Sequence, residues 1–446
     1  MIALRLAVWA ILAALAAPAP APRRHVLLVS IDGLSWPHLQ RELPKLPTLS
    51  RLWSMGVRGP LESVFPSLTW PAHTSLVTGV LPQHHGVLGN RVVDRGNGEV
   101  LEAWNLAKSV HVQTLWDLAA ARGLSVAAVL WPATGGANAI HWNLPEVYGQ
   151  QVFAQQSSPG LLAELAAAGI PTNALFRLGN EEMFLLDSFD RDVAVLLAEQ
   201  HKPDLMLLHF VGVDTLQHSW GPQARQADWA LETIDRYLGD VLAAYARAGL
   251  AAQTTVIVVS DHGFLATEHY ADPQEILTAL VGAPLARKFT WAINGQVLYL
   301  YTQDAKALTA LPKLLREVGR QPELASALGP HELAAQGWPT AEHDAHVPDA
   351  MLVAKPEYFW VQGRGRHFHG PMLLHGMHGM APGRPELQGI FVAAGPGLHS
   401  AADVAGLRIV DVAPLVARLL GLTLPPLQDG RWRAELAPTA EPTAAR

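Results

Sequence analysis

The chain has 446 residues, half of them hydrophobic and 16 % charged, with a formal net charge of −7, 20 histidines and no cysteine. That composition excludes a disordered chain. Its acidic balance, without a Lys/Arg stripe or an aromatic platform, excludes a nucleic-acid groove and a general attraction to anionic lipid. Zero cysteines exclude disulfides, thiolate metal sites and a thiol nucleophile, so any tightly held metal must use imidazole and carboxylate.

Along the chain, residues 1–21 read as a secretory signal peptide: one basic residue, Arg5, an apolar run over 6–17, and small-residue sites at Ala17-Pro18-Ala19. The run is short for a membrane span, so a periplasmic or secreted protein with no stable span after cleavage is expected. Strand-like runs at 26–31, 125–130, 204–210, 255–260 and 390–393 alternate with helix-like segments at 113–122, 191–199, 225–248 and 410–420. Apolar runs separated by amphipathic helices predict an α/β fold, a mostly parallel central sheet covered on both faces. A first part of the core over 25–267 is interrupted at 268–366 by scattered Pro, Gly and Trp, which reads as an inserted cap. The core resumes over 367–435, and the Pro/Ala-rich 436–446 read as a frayed tail.

Two strand-like runs end in carboxylates that a buried strand does not need: HVLLVSIDGL delivers Asp32, and TVIVVSDHGF delivers Asp261 and His262. In parallel sheets ligands collect at the carboxyl ends of strands. A third run leads into HFVGVDTLQHSWGP, where Asp214 and His218 are four apart and share one face if the turn is helical. LLHGMHGMAPG offers His375 and His378. One carboxylate with two imidazoles from these two segments, and Asp32 with Asp261 and His262, would make two three-ligand sites. Two divalent ions about 3.5 to 4 Å apart suit phosphoryl transfer. FPSLTWPAHTSLVTG supplies hydroxyls at Ser67, Thr69, Thr74, Ser75 and Thr78, among which periodicity does not choose.

The choice comes from a resemblance. Phe65-Pro66-Ser67-Leu68-Thr69-Trp70-Pro71-Ala72-His73 with Thr78-Gly79, the loop His85-Gly86-Val87-Leu88-Gly89-Asn90, Trp131-Pro132, Asp214 and His218 before Gly221-Pro222, Ser260-Asp261-His262-Gly263, His378-Gly379 and Gly395-Pro396 follow one another in a fixed order. In that order they resemble the nucleotide pyrophosphatase/phosphodiesterase family of the alkaline phosphatase superfamily, over about residues 26 to 420. The resemblance implies an alkaline-phosphatase-like three-layer sandwich and two zinc ions, one on Asp214, His218 and His378, the other on Asp32, Asp261 and His262. It implies Thr69 as the nucleophile that forms a phospho-threonine intermediate, and Asn90 as donor to a non-bridging phosphate oxygen. Trp70 is a candidate for stacking on a small phosphate-ester substrate. His378 is preferred to His375 because its spacing to the strand at 390 fits the family, and His73, His84 and His85 are expected to be structural.

The resemblance also leaves alternatives. Nucleotide-cleaving relatives commonly read F-P-N-H and H-G-Y-D-N where this chain has Trp70-Pro71-Ala72-His73 and His378-Gly379-Met380-Ala381-Pro382. A phosphomonoesterase or phosphonate hydrolase of the same superfamily, and a non-catalytic zinc-stabilised binding protein, are the competing readings. A sulfatase is disfavoured, because position 69 offers no formylglycine precursor. Arg364, Arg366, His367 and His369 in GRGRHFHG are either phosphate contacts or part of a solvated loop.

Overall fold

A computed structural model describes residues 23–101, 106–147, 149–172, 180–363 and 374–437. The expected signal segment and the basic stretch from Arg364 to His369 lie outside the described residues. The strands of the two larger sheets are β1 (His25–Ile31), β2 (Val57–Glu62), β3 (Val126–Trp131), β4 (Trp142–Pro145), β5 (Leu205–Phe210), β6 (Thr254–Val259), β7 (Thr290–Asn294), β8 (Val297–Tyr301), β9 (Leu324–Leu328), β10 (Ala350–Ala354), β11 (Gly389–Ala394), β12 (Ala402–Asp403) and β13 (Leu407–Arg408).

A nine-stranded sheet runs in the order β12, β2, β11, β6, β1, β5, β3, β4, with β13 also beside β2. β1 lies parallel to both β5 and β6, with Val26 opposite Leu205 and Thr255. β3 lies parallel to β4 and β5, while β11 runs antiparallel to β6 and β2. Because β5, β1 and β6 are parallel neighbours, the chain leaves all three at one edge, and Asp214, Asp32 and Asp261 follow those three ends.

The principal helices are α1 (Thr69–Thr78), α2 (Leu115–Ala121), α3 (Leu186–Gln200), α4 (Gly212–Trp220), α5 (Arg225–Arg247) and α6 (Val412–Leu420). Strand side chains alternate between faces. On one face Leu27 and Val29 pack with Val193 and Leu197 of α3 and Leu231 and Leu238 of α5. On the other, Val26 and Leu28 pack with Leu76 of α1, Leu115 of α2 and Leu415 of α6. These are helix, sheet and helix layers, and each buried Leu or Val contributes about 1.5 to 3 kcal/mol. Thr114 starts α2 with a capping box, its hydroxyl accepting from the Asp117 N–H while the Asp117 carboxylate accepts from the Thr114 N–H.

Within the stretch expected as an insertion lies a second, antiparallel sheet in the order β7, β8, β10, β9. One face, with Leu298, Leu300 and Leu352, packs on Leu311 and Leu314 of its own helix. The other, with Val297, Tyr299 and Met351, packs on Leu88 and Val93. So the second sheet lies against the loop that carries Asn90.

β2 went unread in the sequence because VRGPLE contains Gly59 and Pro60. The strand survives because β12 pairs only at Val57 and Arg58 and β13 only at Leu61 and Glu62, leaving the Gly59-Pro60 step between them. Leu436 and Ala437, the first residues of the stretch read as a tail, are buried, Leu436 in the cluster of the α1–α6 face, and the rest of that stretch lies outside the described residues.

Candidate active site

Asp32, the first residue after β1, and Asp261 and His262, just after β6, have ligand atoms within 4.8 Å of one another, and so do Asp214, His218 and His378. Both expected triads are therefore assembled, although they come from four separate parts of the chain. His262 Nε2 lies 3.1 Å from Asp261 Oδ2 and 3.4 Å from Asp32 Oδ1. In the other triad Asp214 lies 3.5 Å from His218 Nε2 and 3.7 Å from His378 Nε2. The rings of His262 and His378 stack with centroids 3.6 Å apart, which makes the two triads immediate neighbours.

Each imidazole is aimed in the same way. Nδ1 of His218, His262 and His378 lies within hydrogen-bond distance of the backbone carbonyls of Gly376, Gly263 and Ser67 respectively. With Nδ1 the donor, Nε2 presents its lone pair to the cluster, as in metal-ligating histidines. Asp32 Oδ1, Asp214 Oδ1, Asp261 Oδ2 and His262 Nε2 are buried and have no hydrogen-bond partner. Burial pushes Asp32 and Asp261 well above the usual carboxylate range, each helped by a neighbouring carboxylate. Burial likewise pushes His262 well down and His378 down to about 4. Acceptor atoms converging unpaired in a buried space are costly unless a cation joins them, so the donor set fits divalent metal ions.

Around the triads the backbone is held by further polar groups. The Gly33 N–H donates to Asp261 Oδ1, and its carbonyl accepts from Gln217 Nε2 of α4. Gly33 has φ +71°, and a Cβ there would stand 3.1 Å from the Asp214 Cα, so glycine serves both the turn and the close approach. Asp187 of α3 accepts from the N–H groups of Val211 and Gly212, fixing the start of α4 and so the direction of Asp214; burial lifts its carboxyl to about 7. His209 of β5 spans the Leu130 carbonyl and Asp32 Oδ2. Neither residue was singled out from the sequence. The available signals were a histidine inside the apolar run LMLLHF and an acidic residue on the apolar face of α3.

Thr69 is the first residue of α1 and is partly exposed. Two residues before it, the Ser67 carbonyl faces His378 Nδ1, and four residues after it His73 Nδ1 lies 2.8 Å from the Thr69 carbonyl and 3.6 Å from Asp261. The segment carrying Thr69 is therefore bonded to His378 of one triad and places His73 close to Asp261 of the other. Asn90 Oδ1 accepts from the Trp70 N–H, which orients the amide and leaves Nδ2 as its free donor end. Trp70 is 3 % exposed, packs with Val87 and Val92, and has its side chain on Glu146. The stacking expected of Trp70 thus gives way to packing, since almost no ring surface is left for a ligand.

His375, the rival ligand, is exposed and is not in the cluster; its N–H donates to the His218 carbonyl instead. His73, His84 and His85 are tied down as expected of structural residues, to the Thr69 carbonyl, to Asp429, and to Ser75 and the Pro71 carbonyl.

A profile of the type I phosphodiesterase/nucleotide pyrophosphatase family matches residues 26–381. The chain belongs to that family. Human ectonucleotide pyrophosphatase/phosphodiesterase family member 5 is 23 % identical over 435 residues, 93 % of this chain and 78 % of the relative. A venom phosphodiesterase of Macrovipera lebetinus is 23 % identical over 89 % of this chain, and the bovine family member 3 is 24 % identical over 56 %. The matched stretch covers only 43 % and 26 % of those two proteins. Among solved structures, murine family member 5 superposes with a TM-score of 0.68 at 21 % identity, covering 92 % of this chain and 98 % of that one. An inactive threonine-to-alanine form of the same protein, in complex with AMP, gives the same score over 93 % of this chain. The fold is alkaline-phosphatase-like, as the sequence resemblance implied. No helix among the described residues is long and apolar enough to cross a membrane.

Proposed function

We propose that the chain is a metal-dependent phosphodiesterase/nucleotide pyrophosphatase that works through a phospho-threonine on Thr69. The observation that carries this reading is the set of four buried, unpaired ligand atoms on Asp32, Asp214, Asp261 and His262, near a segment in which the Ser67 carbonyl bonds to His378 and His73 lies 3.6 Å from Asp261.

Asp32, Asp261 and His262 would hold one ion, and Asp214, His218 and His378 the other, with zinc the natural occupant of imidazole and carboxylate ligands. Bound ions would supply positive charge that favours the ionised Thr69 hydroxyl and offsets charge on the phosphate oxygens. The Thr69 Oγ1 then bonds to phosphorus while the ester oxygen opposite departs and takes up a proton. Water attacks the phospho-threonine, releasing the phosphate product and returning the hydroxyl. Asn90 Nδ2 donates to a non-bridging oxygen, where its bond strengthens as charge accumulates in the transition state. His73 and Ser67 hold the backbone on either side of Thr69, so the nucleophile does not drift from the two triads. We also place the protein outside the cytoplasm, in keeping with the expected signal at 1–21, and read 268–366 as the cap.

The test compares a bis-aryl phosphodiester with its monoester on zinc-loaded wild type and Thr69→Ala. Expected is diester preference in the wild type and a loss of at least about 1,000-fold in the variant with its metals retained. A monoester preference would move the protein to the phosphatases. Metal-replete wild type that turns over neither substrate would sink the enzymatic reading.

A further inference from the structure

The turn between β7 and β8 lies deep in the molecule, although it is the tip of a hairpin in the second sheet. Asn294 pairs with Val297 across a two-residue turn, Gly295-Gln296, in which Gly295 takes φ +61°. A Cβ at Gly295 would stand 2.2 Å from the His378 carbonyl oxygen, and the Gln296 N–H donates to that same oxygen at 2.9 Å. Asn294 itself is 1 % exposed, and its amide is spent on one residue of the Asn90 loop: Oδ1 accepts from the Arg91 N–H at 2.9 Å, and Nδ2 donates to the Arg91 carbonyl at 2.8 Å. Three residues earlier in the loop, the Leu88 carbonyl accepts from the Tyr299 hydroxyl of β8 at 2.7 Å. At Gly89 a Cβ would come within 2.9 Å of Asn294 Oδ1, so the loop lies flat on this amide.

The backbone on both sides of Asn90 is therefore bonded to the second sheet, while Asn90 Oδ1 is bonded to the residue after Thr69. An amide that must meet a phosphate oxygen only as charge develops needs such a support, because a donor misplaced by an ångström loses most of its effect.

We propose that Asn294 is a positioning residue for Asn90, with Tyr299 as the second anchor, so that the inserted sheet sets the geometry in which the oxyanion donor meets its substrate. This rests on the role given to Asn90 above. The insertion is then part of the catalytic apparatus through two side chains that touch neither metal nor substrate.

The experiment is a double-mutant cycle on the zinc-loaded protein with a bis-aryl phosphodiester: wild type, Asn90→Ala, Asn294→Ala and the double variant. Asn294→Ala is expected to lower kcat by about 10- to 100-fold, with KM within about twofold and metal content unchanged. In the Asn90→Ala background the same substitution is expected to cost less than about twofold. Amide hydrogen exchange over 88–93 is expected to quicken in Asn294→Ala, and Asn294→Asp, which keeps the acceptor for the Arg91 N–H, to recover part of the rate. If Asn294→Ala does not fold, Tyr299→Phe carries the same cycle. A full loss repeated in the Asn90→Ala background, or a wild-type kcat in Asn294→Ala, would overturn the proposal while leaving Asn90's role intact. A wild-type rate in Asn90→Ala alone would remove that role and this proposal with it.

Discussion

The two triads are neighbours built on opposite terms. Asp32, Asp261 and His262 are all buried and stand at the ends of adjacent parallel strands, braced by Gly33 and His209. Asp214 and His218 sit half-buried on one side of a nine-residue helix, and His378 reaches them from a loop more than 150 residues away in sequence. The inner triad is thus formed by the sheet itself, whereas the outer one needs a helix and a loop to dock. A buried cluster with two raised carboxylates destabilises the metal-free protein until a cation joins it; in the outer cluster Asp214 and His218 are only half-buried, which lowers that cost.

The sharpest way to break this comparison is to remove one ligand from each triad. Asp261→Asn and His218→Asn are each expected to lower diester turnover by about 1,000-fold and to leave about one bound ion per chain, counted by elemental analysis. The two should part in stability. Metal-free Asp261→Asn is expected to melt above metal-free wild type, because a buried charge is gone, and metal-free His218→Asn within a few degrees of it. Equal shifts would refute the asymmetry.

A second contrast is expected from chelation. Stripping with a chelator of graded strength should release the outer ion first and the inner one later. Loss of each ion should cost about 4 kcal/mol of unfolding free energy if it was held near 1,000 times its dissociation constant, so about 8 kcal/mol for both. Simultaneous release of both ions would erase the distinction between the sites.

The smallest effect separates an imidazole ligand from a carboxylate ligand by sign. His378 of the outer triad is held down to about 4, below its unfolded value near 6.5, so the unfolded chain binds more protons in that window. Its contribution to metal-free stability is present above about pH 6.5 and is lost as pH falls towards 4, at most about 1.4 kcal/mol per pH unit. Asp261 of the inner triad is raised, so its contribution has the opposite slope and is lost as pH rises through its folded pKa. Denaturant titrations from pH 4 to 7 should show His378→Gln reducing the rise of stability with pH and Asp261→Asn reducing the fall. Parallel profiles for both variants would contradict the assignments.

Much of the inner triad was legible because its ligands follow directly on apolar runs, so reading the strand also placed the carboxylate. Asp214 and His218 were legible for the same local reason, four residues apart on one helical turn. His378 was preferred to His375 by resemblance, and its place was decided by the fold, which turns one imidazole inward and leaves the other in solvent. Trp70 shows the limit from the other side: next to the nucleophile in sequence, it turns away into a buried cluster with Val87 and Val92. His209 and Asp187 were not legible as site residues, because a polar group in an apolar segment announces burial but not its partner.

By itself, then, the sequence determined the apolar periods of the core strands and helices, the ordered motifs, and the absence of thiol chemistry, since each depends on residues near one another in the chain. Only the tertiary structure decided the antiparallel insertion of β2 and β11 into a mostly parallel sheet, the stacking of His262 on His378, and the seating of Asn294 on Arg91 across a sequence separation of 203. Those contacts arise from how packed layers bring distant loops to one sheet edge. A hydrogen bond between an asparagine and a backbone peptide so remote in sequence leaves no period or spacing from which it could be read.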